Sequence, residues 1–412
     1  MMMMIRKTAR NPLLFLVSLV LFGLLAPSGA ATRDRQIRVT SDTPSPRAAQ
    51  QTRRNIGLFF EKLRAGRAVT VAYIGGSITE GVGAGNPERS SFRALVTEWL
   101  RKSYPKARID EINAGIAHTG ALYATLRARR DLMADKPDLI FVDFAASDSG
   151  EDETIVKKSI EGLLRQMLIV PQPPEVVMLY ATNAKHSTHT EWHDVIAGHY
   201  QVPSINLQDR IWNAIQTNRL KAADLWPAPR RDDVNPTDAG HRFYAEQIIA
   251  FLTEQQSLKP TPIARTLPPP LVSDELNYGE FKTFAEVPHD ASWRAEPVAD
   301  RIFPAALLTA ERAAVPLELF FEGTVVGLSF RSGPDGGILE CLIDGKPAPA
   351  PLARIDLYDA THRISTRIIP GGLGPGEHKL TIRLLNERNP KSTGSVARLG
   401  YLLVGGTRPE RL

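Results

Sequence analysis

VTVAYIGGSITEGVGAG, residues 69–85, is the stretch from which the rest of the chain is read. Val69 to Ile74 is a short β-branched run that stops at Gly75-Gly76-Ser77, and Gly81, Gly83 and Gly85 follow. An apolar run halted by glycines predicts a buried strand ending in a tight turn. Two glycines ahead of the serine let the backbone bend without a Cβ clash. Ser77 is then presented at the carboxyl end of a strand, where open α/β sheets place their ligand crevices. A βα turn in which Ser77 only caps the next helix fits the same residues.

Outward from this strand, helical and strand patterns alternate. Arg47 to Leu63 and Ser90 to Tyr104 repeat apolar residues at helical spacing, as do Ala121 to Ala134, Glu153 to Leu168, Thr190 to Tyr200 and Ala239 to Leu252. Between them lie the strand-like runs Arg108 to Asn113, Asp138 to Ala145, Glu175 to Ala181 and Ser204 to Leu207. The alternation predicts a parallel sheet with right-handed crossovers, a three-layer α/β/α sandwich over residues 47–255. Residues 256–275 are proline-rich and predict an extended, semi-rigid linker. Beyond it, residues 276–412 carry β-rich runs at Leu317 to Phe330, Ile338 to Ile343, Ile364 to Ile369, His378 to Leu385 and Val396 to Val404. Turn signals separate them, which predicts an all-β sandwich or jelly roll.

Residues 1–30 have the layout of a signal peptide: Arg6, Lys7 and Arg10, an apolar core from Leu13 to Leu25, and the small-residue site Ser28-Gly-Ala30. A secreted or periplasmic protein is therefore expected, with residues 31–46 as a polar lead-in; a retained leader would make it membrane-anchored. The formal charge of +5 falls to +2 once the three basic leader residues are gone. No basic patch interleaved with aromatics argues for a nucleic-acid partner. The single cysteine, Cys341, forms no internal disulfide, so an exported fold must rely on its core.

Three further loops are placed by the strand pattern on the same sheet edge as Ser77: Asn113 to Gly120, Ala145 to Asp148, and Arg231 to His241. A serine, a glycine N–H and an Asp-containing loop on one rim suit acyl transfer. Here the chain resembles the SGNH/GDSL hydrolases over residues 69–252. Tyr73-Ile-Gly-Gly-Ser77-Ile-Thr-Glu-Gly81 resembles their first block, the region of Gly115 the second, Lys136 to Asp148 the third and Asp232 to His241 the fifth. Ile160-Glu-Gly-Leu-Leu-Arg165-Gln resembles a helix of one secreted branch. The resemblance implies Ser77 as nucleophile, Gly115 and Ser147 as oxyanion donors, and Gly76 and Asp148 beside the substrate.

Two positions depart from that family. Ser147 stands where the third block has an asparagine, and the fifth block reads Asp232-Asp-Val-Asn235-Pro, with Asn235 in place of the general-base histidine. An amide has no titratable nitrogen to accept the serine proton. Asp232 then either orients a catalytic group or, with Asp233, complements the following helix. His118, which replaces a family glycine, is a candidate displaced base, whereas His241 suits a buried structural role. His186, His189 and His193 read as a solvated face rather than a metal cluster, and no metal or cofactor is expected. Trp293, Tyr358 and Tyr401 divide between sugar stacking and core. The resemblance thus implies a carbohydrate ester hydrolase acting on an acylated carbohydrate or small ester. The alternative is a non-catalytic binding protein on the same fold.

Overall fold

The computed structural model describes residues 53–227, 232–262, 266–298, 302–303, 306–312 and 314–407. The predicted leader, the lead-in and residues 47–52 lie outside them. The first part alternates as follows: α1 (Gly57–Arg64), β1 (Val69–Gly75), α2 (Ser77–Glu80), α3 (Pro87–Ser90), α4 (Phe92–Ser103), β2 (Ile109–Gly115), α5 (Ala121–Asp131) and β3 (Leu139–Asp143). It continues through α6 (Glu153–Leu168), β4 (Glu175–Leu179), α7 (Thr190–His199), β5 (Ser204–Ile205), α8 (Leu207–Gln216), α9 (Ala222–Leu225) and α10 (Asp238–Gln255).

The five strands form one parallel sheet in the order β2-β1-β3-β4-β5. Its central strands are buried on both faces, which explains their unbroken apolar runs. Alternate residues of β1 enter different layers. Val71 and Tyr73 join Phe59, Phe92, Val96 and Ile248 of α1, α4 and α10. Ala72 and Ile74 join Ala124, Ile160, Leu163 and Met167 of α5 and α6. The predicted three-layer α/β/α sandwich is the observed one.

The second part is antiparallel: β6 (Tyr278–Thr283), β7 (Trp293–Pro297), β8 (Ala306–Glu311), β9 (Leu317–Glu322), β10 (Val325–Ser332), β11 (Gly337–Ile343), β12 (Lys346–Pro347), β13 (Arg354–Asp356), β14 (Arg363–Ile369), β15 (Glu377–Arg388) and β16 (Val396–Gly406). One sheet runs β14-β10-β16-β8-β7, with β6 also on β16; the other runs β12-β11-β15-β9, with β13 on β11. Leu328, Leu339, Cys341, Leu380 and Leu402 share the core between them. The β-rich run Leu317 to Phe330 forms two strands, turned at Gly323, whose φ of +158° lies in glycine's range.

The proline-rich stretch is pinned to the α/β part where it is described. The carboxylate of Glu161, 0% exposed, accepts the N–H groups of Leu271, Val272 and Ser273 and the Tyr200 hydroxyl. Gln166 donates to Thr125 O at 3.1 Å and to Leu276 O at 2.8 Å. Trp293 and Tyr401 are both buried, and Trp293 donates its ring N–H to Val315 O; Tyr358 alone of the three aromatic candidates is half-exposed. Among the described residues no helix is long and apolar enough to cross a membrane.

Candidate active site

Ser77 is the first residue of α2, straight after β1. The turn admits nothing but glycine: a Cβ on Gly75 would lie 2.1 Å from Thr79 Oγ1, and one on Gly76 2.0 Å from Ser147 Oγ. Real Cβ atoms do not come so close. Ser77 is half-exposed, and its N–H is among the first four of a helix, which have no partner within it. Ser147, also half-exposed, therefore stands with its hydroxyl beside residue 76.

The loop after β2 is stapled to α2. A Cβ on Gly115 would lie 2.2 Å from Glu80 N. Asn113 donates Nδ2–H to Glu80 O at 3.3 Å, and Ala117 N–H donates to Glu80 Oε2 at 2.6 Å. Gly115 N–H donates to Asn113 Oδ1 at 3.0 Å, so an oxyanion there competes with Asn113 for this donor. Thr119 O runs 3.2 Å from the Cβ position of Gly76. Between them His118 is exposed, with φ +62°. A glycine takes that left-handed backbone freely, whereas a side chain costs about 1–2 kcal/mol.

Asp148 is buried beneath this rim. Its Oδ1 accepts Ala121 N–H at 2.9 Å, fixing the start of α5, and a Cβ on Gly120 would sit 2.4 Å from the same oxygen. Its Oδ2 faces His193 Nε2 at 3.6 Å, beyond hydrogen-bond reach. His193, read from sequence as part of a solvated face, is 1% exposed. The correction is physical: the apolar positions of α7, Ile196 and Ala197, pack on α6 and the sheet, and residue 193 shares that inward stripe. Burial pushes the Asp148 carboxyl up to about 7 and holds the His193 imidazole down at about 3. Asp143, at the end of β3, is likewise pushed up to about 7 by burial; it accepts from Thr79 Oγ1 at 3.1 Å and Ala181 N–H at 3.4 Å.

The fifth loop closes the rim. Asp232 Oδ1 accepts the N–H groups of Val234 and Asn235, and its Oδ2 accepts Asn235 Nδ2–H at 2.7 Å. The other end of that amide, Oδ1, is buried without a partner. Asp233 ion-pairs with Lys185 at 2.5 Å. The following helix starts only at Asp238, with Thr237 as its cap. A Cβ on Gly83 would lie 2.2 Å from Pro236 O, so the loop after α2 backs onto the Asn235-Pro236 peptide. His241 is fully buried and structural: its Nε2 lies 3.1 Å from Val82 O, and its Nδ1 accepts Phe92 N–H at 3.3 Å.

The loops carrying Ser77, Gly115, His118, Ser147 and Asn235 thus converge on one sheet edge. Sequence reasoning passed over Thr79, Glu80 and Asn113, which hold this geometry, although all three lie inside the motifs it used. Among the described residues, no three His, Cys, Asp or Glu side chains gather as metal ligands.

Residues 73–243 match the model of the GDSL-like lipase/acylhydrolase family. A comparison with curated proteins gives no match. Among solved structures, the chain is similar to a two-domain esterase (CEX) active on acetylated mannans. The TM-score is 0.74 at 23% identity for that esterase co-crystallised with mannopentaose, covering 87% of this chain and 98% of that one. For another structure of the esterase it is 0.73 at 24% identity, covering 87% and 99%. At such identities the likeness is one of fold, and it extends over both parts of the chain.

Proposed function

We propose, from the match of residues 73–243 to the GDSL-like lipase/acylhydrolase family model, that the protein is an exported serine ester hydrolase of acylated carbohydrate, slowed by the amide at position 235. The observation that carries this reading is the glycine-walled turn in which Gly76 lies against the Ser147 hydroxyl and Thr119 O, with half-exposed Ser77 the next residue. The carbohydrate part rests on the likeness of both domains to an esterase active on acetylated mannans.

In the proposed reaction Ser77 Oγ bonds to the acyl carbon and gives its proton to the His118 imidazole. The sugar oxygen leaves with that proton, and water then hydrolyses the acyl-serine. Ser77 N–H and Ser147 Oγ–H serve the oxyanion, and Gly115 N–H joins them if Asn113 releases it. His118 supports this role by its exposure on a loop that touches the Ser77 turn.

The test is hydrolysis of an activated aryl acetate by the wild type, Ser77→Ala and His118→Ala. Ser77-dependent turnover that His118→Ala abolishes is the expected result. Turnover equal in the wild type and Ser77→Ala defeats the hydrolytic reading and leaves a second one, a binding protein for acylated glycan. The Asn235 amide favours that second reading, since it is bonded to Asp232 as an imidazole would be but accepts no proton.

A further inference from the structure

Arg127 is 0% exposed, on a face of α5 it shares with Ala124 and Ala128. A guanidinium withdrawn from water needs partners. It finds them at the ends of two strands: Nη2 donates to Ala114 O at 2.8 Å and to Gly75 O at 3.4 Å. These carbonyls stand just before Gly115 and just before the Gly76-Ser77 turn. Nη1 donates to Asp131 Oδ2 at 3.1 Å, and Asp131 Oδ1 accepts Arg130 Nε–H. The Arg130 guanidinium then lies 4.6 Å from the ring centre of Phe281 and 4.6 Å from that of Tyr401, side chains of β6 and β16. α5 and β6 approach so closely that a Cβ on Gly279 would lie 2.6 Å from Leu126 Cα.

We propose that Arg127, Asp131 and Arg130 are positioning residues through which the β domain sets the geometry of the Ser77 turn and the Gly115 loop. The β-domain rings hold Arg130, Arg130 holds Asp131, and Asp131 aims Arg127 at the two strand-end carbonyls. Burial pushes the Asp131 carboxyl up, but the two guanidiniums override it and keep it below the usual carboxylate range, so the chain stays charged. Apolar residues would fill such an interface at lower desolvation cost. What the charged chain adds is direction, because hydrogen bonds to Gly75 O and Ala114 O fix where β1 and β2 end. The importance of those ends rests on the reading of Ser77 as the reactive hydroxyl.

The test uses the full chain with Arg130→Gln, Tyr401→Leu and Arg130→Lys. Amide hydrogen exchange of residues 74–81 and 114–120 should rise about tenfold in the first two variants, the scale of a coupling between distant sites. Exchange of β4 should stay at the wild-type rate. Arg130→Lys keeps a cation between the rings and restores most of the protection. On an aryl acetate, the first two variants should lower kcat with KM unchanged. Wild-type exchange in both segments for Arg130→Gln and Tyr401→Leu overturns the proposal, as does an equal rise for Arg130→Lys and Arg130→Gln. Should the wild type show no turnover, the hydrolytic reading falls, and exchange alone decides this one.

Discussion

Asn235 donates its side-chain N–H to Asp232 Oδ2 at 2.7 Å, the bond an imidazole N–H would make from the same place. On the hydrolytic reading proposed above, Asp232 is the residue that orients a base at position 235, where the amide has no titratable nitrogen. Asn235→His should keep this bond and raise Ser77-dependent turnover of an aryl acetate by about 10²-fold or more, the usual worth of a positioned base. Adding Asp232→Ala should remove most of the gain. Steady-state kinetics of the single and double variants check this, and an inert Asn235→His that is correctly folded refutes it.

Asp143, Asp148 and His193 predict how stability follows pH. The two carboxyls ionise near 7 when folded and near 3.8 when unfolded, so between these values the folded chain holds two protons that the unfolded chain has lost. Their contribution is complete below about pH 4 and disappears as pH rises through 7. His193 acts oppositely: below 6.5 the unfolded chain takes up a proton that the folded one refuses down to about 3. Glu175, which burial likewise pushes up to about 7, adds a third carboxyl. The net difference over pH 5 to 6.5 is then about two protons, so unfolding free energy should fall by about 2.7 kcal/mol per pH unit. Asp143→Asn should flatten that slope. Urea denaturation at stepped pH measures both, and a wild-type stability that rises over this window contradicts the assignment.

Glu161 pins the proline-rich stretch that leads from the α/β part to the β part. Its buried carboxylate accepts three successive backbone N–H groups, of Leu271, Val272 and Ser273. Glu161→Gln puts a donor where an acceptor is needed and should cost about 3 kcal/mol. The expected sign in thermal unfolding is a lower midpoint with faster proteolysis near residue 271. An unchanged midpoint would mean that the stretch is held by other contacts.

His241→Ala should destabilise without touching chemistry. The imidazole accepts Phe92 N–H and holds Val82 O, and burial keeps it below its ordinary pKa. Its loss leaves Phe92 N–H unpaired and opens a cavity, for a cost of about 2–3 kcal/mol. Denaturation should show that loss, while turnover per folded molecule should match the wild type. A loss of turnover in folded protein would instead move His241 into the reaction.

Local pattern carried most of the α/β part. The bounds of α6, Glu153–Leu168, match the amphipathic run read from sequence. Helix α1 begins at Gly57, with residues 53–56 outside it, where the run read as helical starts at Arg47 and lies in part outside the described residues; α8, Leu207–Gln216, went unread behind the short strand that precedes it. Strands β6 and β7 also escaped: Tyr278-Gly-Glu-Phe-Lys-Thr alternates too weakly to stand out, because one of its faces is only half covered.

The chain by its sequence determined the serine after a glycine turn, the amide at position 235 and the two-part architecture. These are set by steric permission and by periodicity, which act over a few residues. Tertiary structure alone decided that His193 is buried against Asp148, that Gly115 N–H is taken by Asn113, and that Arg127 joins the strand ends to Arg130 and the rings of Phe281 and Tyr401. Burial and hydrogen-bond partners belong to groups brought together from distant parts of the chain, and no local pattern encodes them.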